Sequence, residues 1–280
     1  MQTKQTNKEL KQKLVKDIQT LKKNIEQISE EDFKKYLDVF SQFHKYSFHN
    51  NLLIHSQKKE ASQVASFKKW KEQGRNVKKG EKSIRILAPA FYKKGESKSN
   101  LEAKSTQEDQ QSESKEENQS SVAYFITVPV FDISQTEGKE IEKNFTEELN
   151  ISLEEGQKIV KSLLPSINIK KEPLILNTGG YYSSENNLIA LNSNLSEKEN
   201  VGTLFHELSH ALLHHGESKD VQTKDTKEQE AETLTYLFCK KFNIKRKSHF
   251  YLKSWNGIAE NLEKIFKTYQ TAVKKIEETS

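Results

Sequence analysis

The residues of this chain best suited to chemistry are His206, Glu207 and His210, which form an H-E-x-x-H motif. Four residues of α-helix bring the chain back to the same face, so a helix would place the two imidazoles side by side. Imidazole is a common zinc ligand, and a carboxylate beside two such ligands can act as a general base toward a water held by the metal. The motif therefore predicts a zinc centre with His206 and His210 as ligands and Glu207 as the catalytic residue.

A zinc centre with two histidines needs a third protein ligand, which must come from elsewhere in the chain. The downstream segment KEQEAETLTYLFCKKF offers Glu228, Glu230 and Glu232. Glu230 shares a helical stripe with apolar residues further along, which predicts a core-facing carboxylate, and such a group is unfavourable unless it meets a cation. We therefore expect Glu230 to be the third ligand and Glu232 to be the next candidate. The alternative is a solvated acidic turn that complements the helix dipole.

The elements around the motif must position these residues. Apolar periodicity predicts helices over 197–215 and 227–242, and neither Gly nor Pro interrupts residues 203–215. PLILN at 173–177 and NLIAL at 187–191 are typical of short strands, with the pair Gly179-Gly180 in the turn between them. We expect these helices and strands to form one domain around the metal.

Composition limits the class of protein and the kinds of metal site. The chain has one cysteine, Cys239, which excludes an intramolecular disulfide and a cysteine-based zinc finger, so a metal must use histidines and carboxylates. No apolar run approaches the roughly 18 residues of a membrane span. The Lys- and Gln-rich start of the chain has no apolar core typical of a secretory signal. We therefore expect a cytoplasmic protein without membrane contact.

Charge is segregated along the chain. Residues 1–94 carry 22 Lys/Arg and 10 Asp/Glu, a net charge of +12, whereas residues 95–149 carry a net −8 and residues 150–280 a net +1. Such a basic first third favours a polyanionic partner, although a merely soluble, lysine-rich surface would give the same composition. Residues 95–121 are almost devoid of apolar side chains, which predicts a flexible insertion.

The basic stretch 67–94 interleaves ten Lys/Arg with aromatic side chains. Cations neutralise phosphates and aromatic rings stack on unpaired bases, so the stretch predicts a single-stranded DNA surface, with double-stranded DNA left open as a second ligand. The alternative is that Phe67, Trp70 and Ile84 are core residues beneath a solvated lysine face, and we expect Trp70 to be core. The pair Asn50-Asn51 has two interpretations, a DNA contact or a buried amide that ties a helix to the sheet. The candidate DNA contacts are Lys68, Lys69, Arg75, Lys78, Lys79, Lys82, Arg85, Phe91 and Tyr92.

Longer segments resemble a known family. GGYYSSENNLIALNSNLSEKENVGTLFHELSHALLHH, followed by EAETLTYLFC, resembles the C-terminal metallopeptidase domain of ArdC-type antirestriction proteins, within the wider ImmA/IrrE-like zincin group. SFHNNLLI, QVASFKKWKEQGRNVKKGEKSIRILAP and FITVPVFDISQTEG resemble the N-terminal single-stranded DNA-binding domain of the same family. These segments extend over roughly residues 45–280, apart from the insertion.

The resemblance implies an α+β protein with a DNA-binding domain at 1–140 and a zincin-like metallopeptidase domain at 150–280. It also implies that His206 and His210 bind Zn²⁺, that Glu207 is catalytic and that the EAE segment supplies the acidic ligand. The implied role is antirestriction by a protein of a mobile genetic element, which protects incoming DNA during conjugation and acts on an unknown protein substrate. Two alternatives stay open: an ImmA-like protease that cleaves a DNA-bound repressor, and a non-enzymatic single-strand-binding protein with structural zinc.

Overall fold

The structure is a computed structural model that describes residues 6–25, 28–91, 123–140, 151–175, 178–214, 223–244 and 261–279. The expected flexible insertion at 95–121 lies outside these ranges. The helices are α1 Asn7–Ile25, α2 Glu30–Gln42, α3 Phe48–Gln57, α4 Phe67–Glu72, α5 Leu153–Leu163, α6 Glu197–His214, α7 Lys224–Lys241 and α8 Leu262–Thr279. The strands are β1 Val64–Ala65, β2 Arg75–Val77, β3 Ile84–Phe91, β4 Ala123–Asp132, β5 Thr136–Gly138, β6 Asn168–Glu172, β7 Gly180–Ser183 and β8 Leu188–Asn192. This mixture of helices and antiparallel and parallel strands confirms the α+β class.

The chain divides into two compact units. The first unit comprises residues 1–21 and 49–142, and the second comprises residues 22–48 and 143–280. Among the described helices, none combines the length and the apolar character that a membrane span requires.

The first unit is built on an antiparallel sheet with the strand order β1-β4-β3 and on a separate ladder of β2 with β5. Trp70 of α4 is fully buried, and its indole N–H donates to the carbonyl of Phe131 at 2.8 Å. Leu14, Ile18 and Leu53 form a buried cluster that packs against Leu87 of β3. The expectation that Trp70 is a core residue is confirmed.

Side-chain amides of α3 cover the outer edge of β3. The Asn50 amide donates to the Leu87 carbonyl at 2.8 Å and accepts from the Leu87 N–H at 2.9 Å. Gln57 makes the same pair of contacts with Arg85, at 2.8 and 2.9 Å. The next outward-facing residue on this edge is Pro89, which has no N–H to offer. Asn50 is therefore the amide that ties a helix to the sheet.

The second unit contains a three-stranded sheet in which β8 is central, parallel to β6 and antiparallel to β7. Helices α5 and α6 pack on one another, and α6 packs along α7. The strand expected at 173–177 is wrong in position, because the strand in this region is Asn168–Glu172. The alternating NIKKE segment pairs with β8, whereas the more apolar PLI that follows leaves the sheet.

Helix α2 belongs to the second unit, although its residues fall within the expected first domain of 1–140. Its apolar stripe is buried, and the Phe40 and Phe266 rings lie 5.0 Å apart between centroids. The Tyr236 hydroxyl of α7 donates to the Asp38 carboxylate at 2.7 Å. An amphipathic pattern such as that of α2 is typical of a helix, but it does not identify the elements that cover the apolar face.

Candidate functional site

Helix α6 presents the two histidines of the H-E-x-x-H motif on one face. Ser196 and Glu199 form a reciprocal cap at its start, which satisfies exposed N–H groups of the first turn. Leu204, Phe205 and Leu208 anchor the opposite face in the core and are fully buried. As the motif predicts, the His206 and His210 Nε2 atoms lie only 3.2 Å apart.

Helix α7 brings a carboxylate to these imidazoles. The Glu228 oxygens lie 3.0 Å from His206 Nε2 and 3.3 Å from His210 Nε2. Ligand atoms of the three residues all lie within 4.8 Å of one another. Two imidazole nitrogens and one carboxylate oxygen are a donor set that suits zinc, so these residues fit a catalytic metal with an open fourth position. The imidazoles hold the pKa of Glu228 far below its ordinary value.

Glu232 lies one turn further along the same face of α7. Its carboxylate is 3.2 Å from His206 Nδ1, the ring nitrogen on the other side from Glu228. Burial lowers the pKa of His206, but its contacts with Glu228 and Glu232 outweigh burial and raise the pKa to about 9. A carboxylate on the second ring nitrogen is the usual partner of a metal-binding histidine, because it fixes the orientation of the ring.

The structure does not bring Glu230, the expected third ligand, to the imidazoles of the motif. Two residues along a helix turn the side chain by about 200°, so Glu230 points away from Glu228 and Glu232. Glu230 is fully buried, as its apolar stripe predicts. Its carboxylate accepts from the Asn261 amide at 2.5 Å and lies 3.8 Å from His214 Nδ1. The cluster at the motif therefore contains Glu228 in place of Glu230.

A buried hydrogen bond fixes α7 against α6 near this cluster. The Thr235 hydroxyl donates to the Ser209 hydroxyl at 3.0 Å, and both side chains are fully buried. The Ser209 hydroxyl donates to the Phe205 carbonyl, and the single proton of the Thr235 hydroxyl is shared between Ser209 and the Ala231 carbonyl, 2.6 Å from Thr235 Oγ1. The acidic first turns of α7 are thus held at a fixed distance from the histidines of α6.

The catalytic candidate Glu207 is held at the outer edge of β7. The Asn192 N–H donates to the Gly179 carbonyl at 2.9 Å, so these two residues form a hydrogen-bonded pair of the β7–β8 ladder. Because hydrogen-bonded and non-hydrogen-bonded pairs alternate in an antiparallel ladder, the N–H groups of Gly180 and Tyr182 point away from β8. The Tyr182 N–H donates to the Glu207 carboxylate. Burial raises the pKa of Glu207, which is 7% exposed, while the two imidazoles lower it.

Gly180 allows this close approach of β7 to α6. A Cβ at this position would lie 2.6 Å from the Ala190 carbonyl oxygen, 2.7 Å from Thr203 Cγ2 and 3.6 Å from Glu207 Cγ. Sequence reasoning assigned Gly179-Gly180 to a turn and missed the role of Tyr182. The sequence signal that could have identified this role is the glycine pair itself, since strand β7 begins at Gly180.

The candidate DNA contacts of the first unit differ in their surroundings. The Arg75 guanidinium is engaged within the first unit, because it donates to the Thr136 hydroxyl at 2.7 Å, to the Thr136 carbonyl at 3.0 Å and to the Lys139 carbonyl. These contacts tie β2 to β5, in contrast to the role expected from sequence. Lys69 forms an ion pair with Glu72 at 3.6 Å, and Arg85 is half-buried on β3.

The loop after β2 presents the predicted lysines to solvent. Lys78, Lys79 and Lys82 are exposed, and so is Lys68 of α4. The buried Gln135 holds the loop by donating to the Lys82 carbonyl at 2.8 Å. The Lys78 ammonium also donates to the Ser134 carbonyl at 3.1 Å. The Phe91 side chain and Tyr92, the predicted stacking residues, lie outside the described part of the chain.

Two family comparisons match the two parts of the chain. Residues 4–131 match the family described as the N-terminal domain of anti-restriction factor ArdC. Residues 165–244 match the family described as the IrrE N-terminal-like domain. The second match contains both histidines of the motif and the acidic turns of α7.

Individual relatives extend over most of the chain. An uncharacterized protein of Bacillus anthracis, pXO2-81, is 29% identical over 305 aligned residues, which cover 97% of this chain and 51% of the relative. The chain thus spans about half the length of that curated relative. The metal-free crystal structure of the antirestriction ArdC protein from plasmid R388 is 17% identical, covers 83% of this chain and 84% of its own, and has a TM-score of 0.50. Its Mn(II)-bound structure has 16% identity, the same coverage and a TM-score of 0.48. The metal-free structure shows that the fold is shared.

Proposed function

We propose that this chain is an ArdC-type antirestriction protein whose first unit binds single-stranded DNA and whose second unit is a zinc-dependent peptidase, on the support of the two family matches. The protein would act in the cytoplasm on DNA that enters during conjugation, protecting it from restriction. The peptidase would act on a protein associated with that DNA. One observation carries the enzymatic proposal: His206, His210 and Glu228 converge beside the buried carboxylate of Glu207.

His206, His210 and Glu228 would hold the metal, and Glu232 would orient the His206 ring through Nδ1. When bound, zinc supplies Lewis-acid polarisation and lowers the pKa of an attacking water. The donor set supports this role because it offers three protein ligands and leaves one coordination position open. A structural zinc site would instead be closed by four protein ligands.

Glu207 is the group that moves a proton in this proposal. Its carboxylate lies next to the ligand face of α6, where it takes a proton from the attacking water and delivers it to the leaving amine. The Tyr182 N–H fixes one side of this carboxylate. The raised pKa caused by burial makes Glu207 a better proton acceptor than an exposed glutamate.

The outer edge of β7 supports a peptide as substrate. The N–H and carbonyl groups of Gly180 face outward from the sheet beside Glu207, and the Tyr182 N–H further along this edge is already taken by the Glu207 carboxylate. An extended peptide can add to such an edge through main-chain hydrogen bonds, which would lay its backbone along the metal cluster. This geometry favours an unfolded segment of a protein as the substrate over a small molecule.

The DNA-binding half of the proposal is supported by the exposed lysines of the first unit. Lys68, Lys79 and Lys82 are exposed and make no ion pair with another described residue. Solvated cations of this kind neutralise phosphates without reading sequence. They are compatible with a protein that coats DNA of any sequence.

The test of the enzymatic proposal is Glu207→Gln in the full chain, with the exposed Glu185→Gln as matched control. We expect one zinc per chain in both variants, measured by metal analysis. We expect hydrolysis of a fluorogenic peptide library to fall by about 10²- to 10⁴-fold in Glu207→Gln only. Equal hydrolysis in both variants, or no hydrolysis by the zinc-loaded wild type, would exclude Glu207 catalysis and favour a structural metal.

A further inference from the structure

Phe67 is an aromatic residue that the core of the first unit leaves in solvent. It is the first residue of α4 and is 51% exposed, whereas Trp70 on the same helix is fully buried. A half-exposed phenylalanine is common by itself and indicates nothing without its surroundings. In this helix, exposed lysine side chains lie near the phenylalanine.

Two exposed lysines of α4, Lys68 and Lys71, lie near Phe67 in the helix. Lys71 lies four residues further on, a spacing that places the two Cβ atoms about 5 to 6 Å apart on one face. Lys68 is adjacent in sequence and also exposed. Within the described ranges, neither Lys68 nor Lys71 forms an ion pair, while Lys69 is paired with Glu72. The exposed ring therefore shares a helix face with Lys71, and Lys68 lies about 100° around the helix from it; the charge of neither lysine is neutralised by a described carboxylate.

Helix α4 holds the Phe67 backbone in place. The Ser66 hydroxyl accepts from the Lys69 N–H at 3.2 Å and caps the helix. Trp70 anchors it through the indole bond to the Phe131 carbonyl. A ring on a fixed backbone loses little conformational entropy when a base stacks on it, since only two side-chain torsions remain to be ordered.

We propose that Phe67 is a stacking platform for an unpaired nucleobase, with Lys68 and Lys71 binding the adjacent phosphates. This rests on the proposed binding of single-stranded DNA and adds a residue that recognises the base. An unpaired base is the occupant that matches an exposed ring with two solvated lysines on the same helix, because the ring can stack on the base while the lysines bind neighbouring phosphates.

Phe125 provides the matched comparison within the same unit. It is 52% exposed, nearly the same as Phe67, and lies on β4 opposite Pro89 of β3. The next residue on its own face of the strand, Thr127, and Pro89 opposite it carry no charge. A purely hydrophobic contact would use both rings equally, whereas base stacking beside phosphates selects Phe67.

The experiment compares Phe67→Leu, Phe67→Trp and Phe125→Leu in the full chain, with a labelled oligothymidylate and an abasic strand of equal length as probes. We expect Phe67→Leu to bind oligothymidylate roughly 5- to 150-fold more weakly than wild type. We expect Phe67→Trp and Phe125→Leu to bind like wild type or, for the tryptophan, more tightly. On the abasic strand all four proteins should bind equally, and the salt slope should not change.

The outcomes separate the two proposals. Wild type that binds neither strand overturns the single-strand function and the stacking site with it. Wild type that binds oligothymidylate while Phe67→Leu binds equally well overturns the stacking site alone. Loss of affinity in both Phe67→Leu and Phe67→Trp, or equal loss on the abasic strand, would show that Phe67 supports the fold of α4 and does not contact a base. Thermal melts of each variant accompany the isotherms.

Discussion

The metal cluster of the second unit and the lysines of the first unit use charge in opposite ways. At the cluster, Glu207 is 7% exposed, and the carboxylates of Glu228 and Glu232 each contact an imidazole. At the lysine loop, Lys79 and Lys82 are exposed, and neither contacts a carboxylate in the described ranges. Burial strengthens the interaction between charges, and water with dissolved salt weakens it.

This difference determines how each region responds to substitution. The metal cluster depends on the identity and orientation of each residue, because its imidazoles and Glu207 are largely removed from water, although the Glu228 side chain is 51% exposed, and a buried group that loses its partner is unfavourable. A solvated surface depends mainly on the number of its charges, because each contributes a small and similar amount. We therefore expect large, residue-specific effects at the cluster and small, nearly additive effects at the loop.

The largest effect is expected from loss of the third ligand. Glu228→Gln should weaken zinc binding by more than about 100-fold, because loss of a mere orienting partner already weakens binding by 10- to 100-fold. Glu230→Gln, its neighbour on the opposite face, should leave zinc affinity close to wild type while lowering thermal stability. Competition with a chromophoric chelator measures both. A larger loss of zinc affinity in Glu230→Gln than in Glu228→Gln would show that Glu230 is the third ligand.

An intermediate effect is expected when the orienting carboxylate is removed. Glu232→Gln leaves all three proposed ligands in place but weakens the contact that orients the His206 ring. Zinc affinity should fall by about 10- to 100-fold, less than for Glu228→Gln. Zinc titration followed by calorimetry checks the order. An affinity equal to wild type would show that Glu232 has no orienting role.

Arg75 tests whether a cation of the basic stretch contributes to stability and not to DNA binding. Arg75→Ala should lower the free energy of unfolding by about 1.5 to 3 kcal/mol, since the guanidinium bonds to the β2–β5 ladder. The salt dependence of DNA binding should not change. Denaturant melts and binding isotherms at several salt concentrations separate the two. A shallower salt slope at unchanged stability would return Arg75 to the phosphate contacts.

The smallest effect is expected at the solvated loop. Replacing Lys79 and Lys82 together by Ala should make the slope of log affinity against log salt shallower by about 1.4, from roughly 0.7 for each phosphate on a single strand. Stability should be unchanged. Lys158 and Lys274, which are 72% and 79% exposed in the second unit, provide the control pair. An equal change from the control pair would mean that net charge alone sets the slope.

The sequence predicted the parts of the metal site that depend on local geometry. The helix expected over 197–215 is α6 Glu197–His214, and the spacing of four residues brings His206 and His210 together as expected. The identity of the third ligand could not be decided from sequence, because α7 offers three glutamates at alternate positions, Glu228, Glu230 and Glu232. The apolar stripe correctly predicted that Glu230 is buried, but burial does not specify the partner. Asn261, which meets Glu230, comes from a distant part of the chain.

In the basic stretch, too, the sequence does not identify the partner of each side chain. Composition separates charged from apolar residues, but it does not separate a cation that binds phosphate from one that binds its own backbone. Arg75 and Lys79 are four residues apart and carry the same charge, yet the Arg75 guanidinium bonds to Thr136 while the Lys79 ammonium is exposed. Likewise, Phe67 and Trp70 have similar hydrophobicity, and only the fold places one in solvent and the other in the core.

The amide contacts along β3 also bear on how the protein behaves at high concentration. An exposed strand edge is a template on which a second molecule can pair, and this is a common start of β-aggregation. Asn50 and Gln57 occupy the main-chain groups of Leu87 and Arg85 that such pairing would need, and Pro89 interrupts the edge beyond them. The long β3–β4 hairpin thus contains its own protection against self-association, supplied by two side chains of a neighbouring helix.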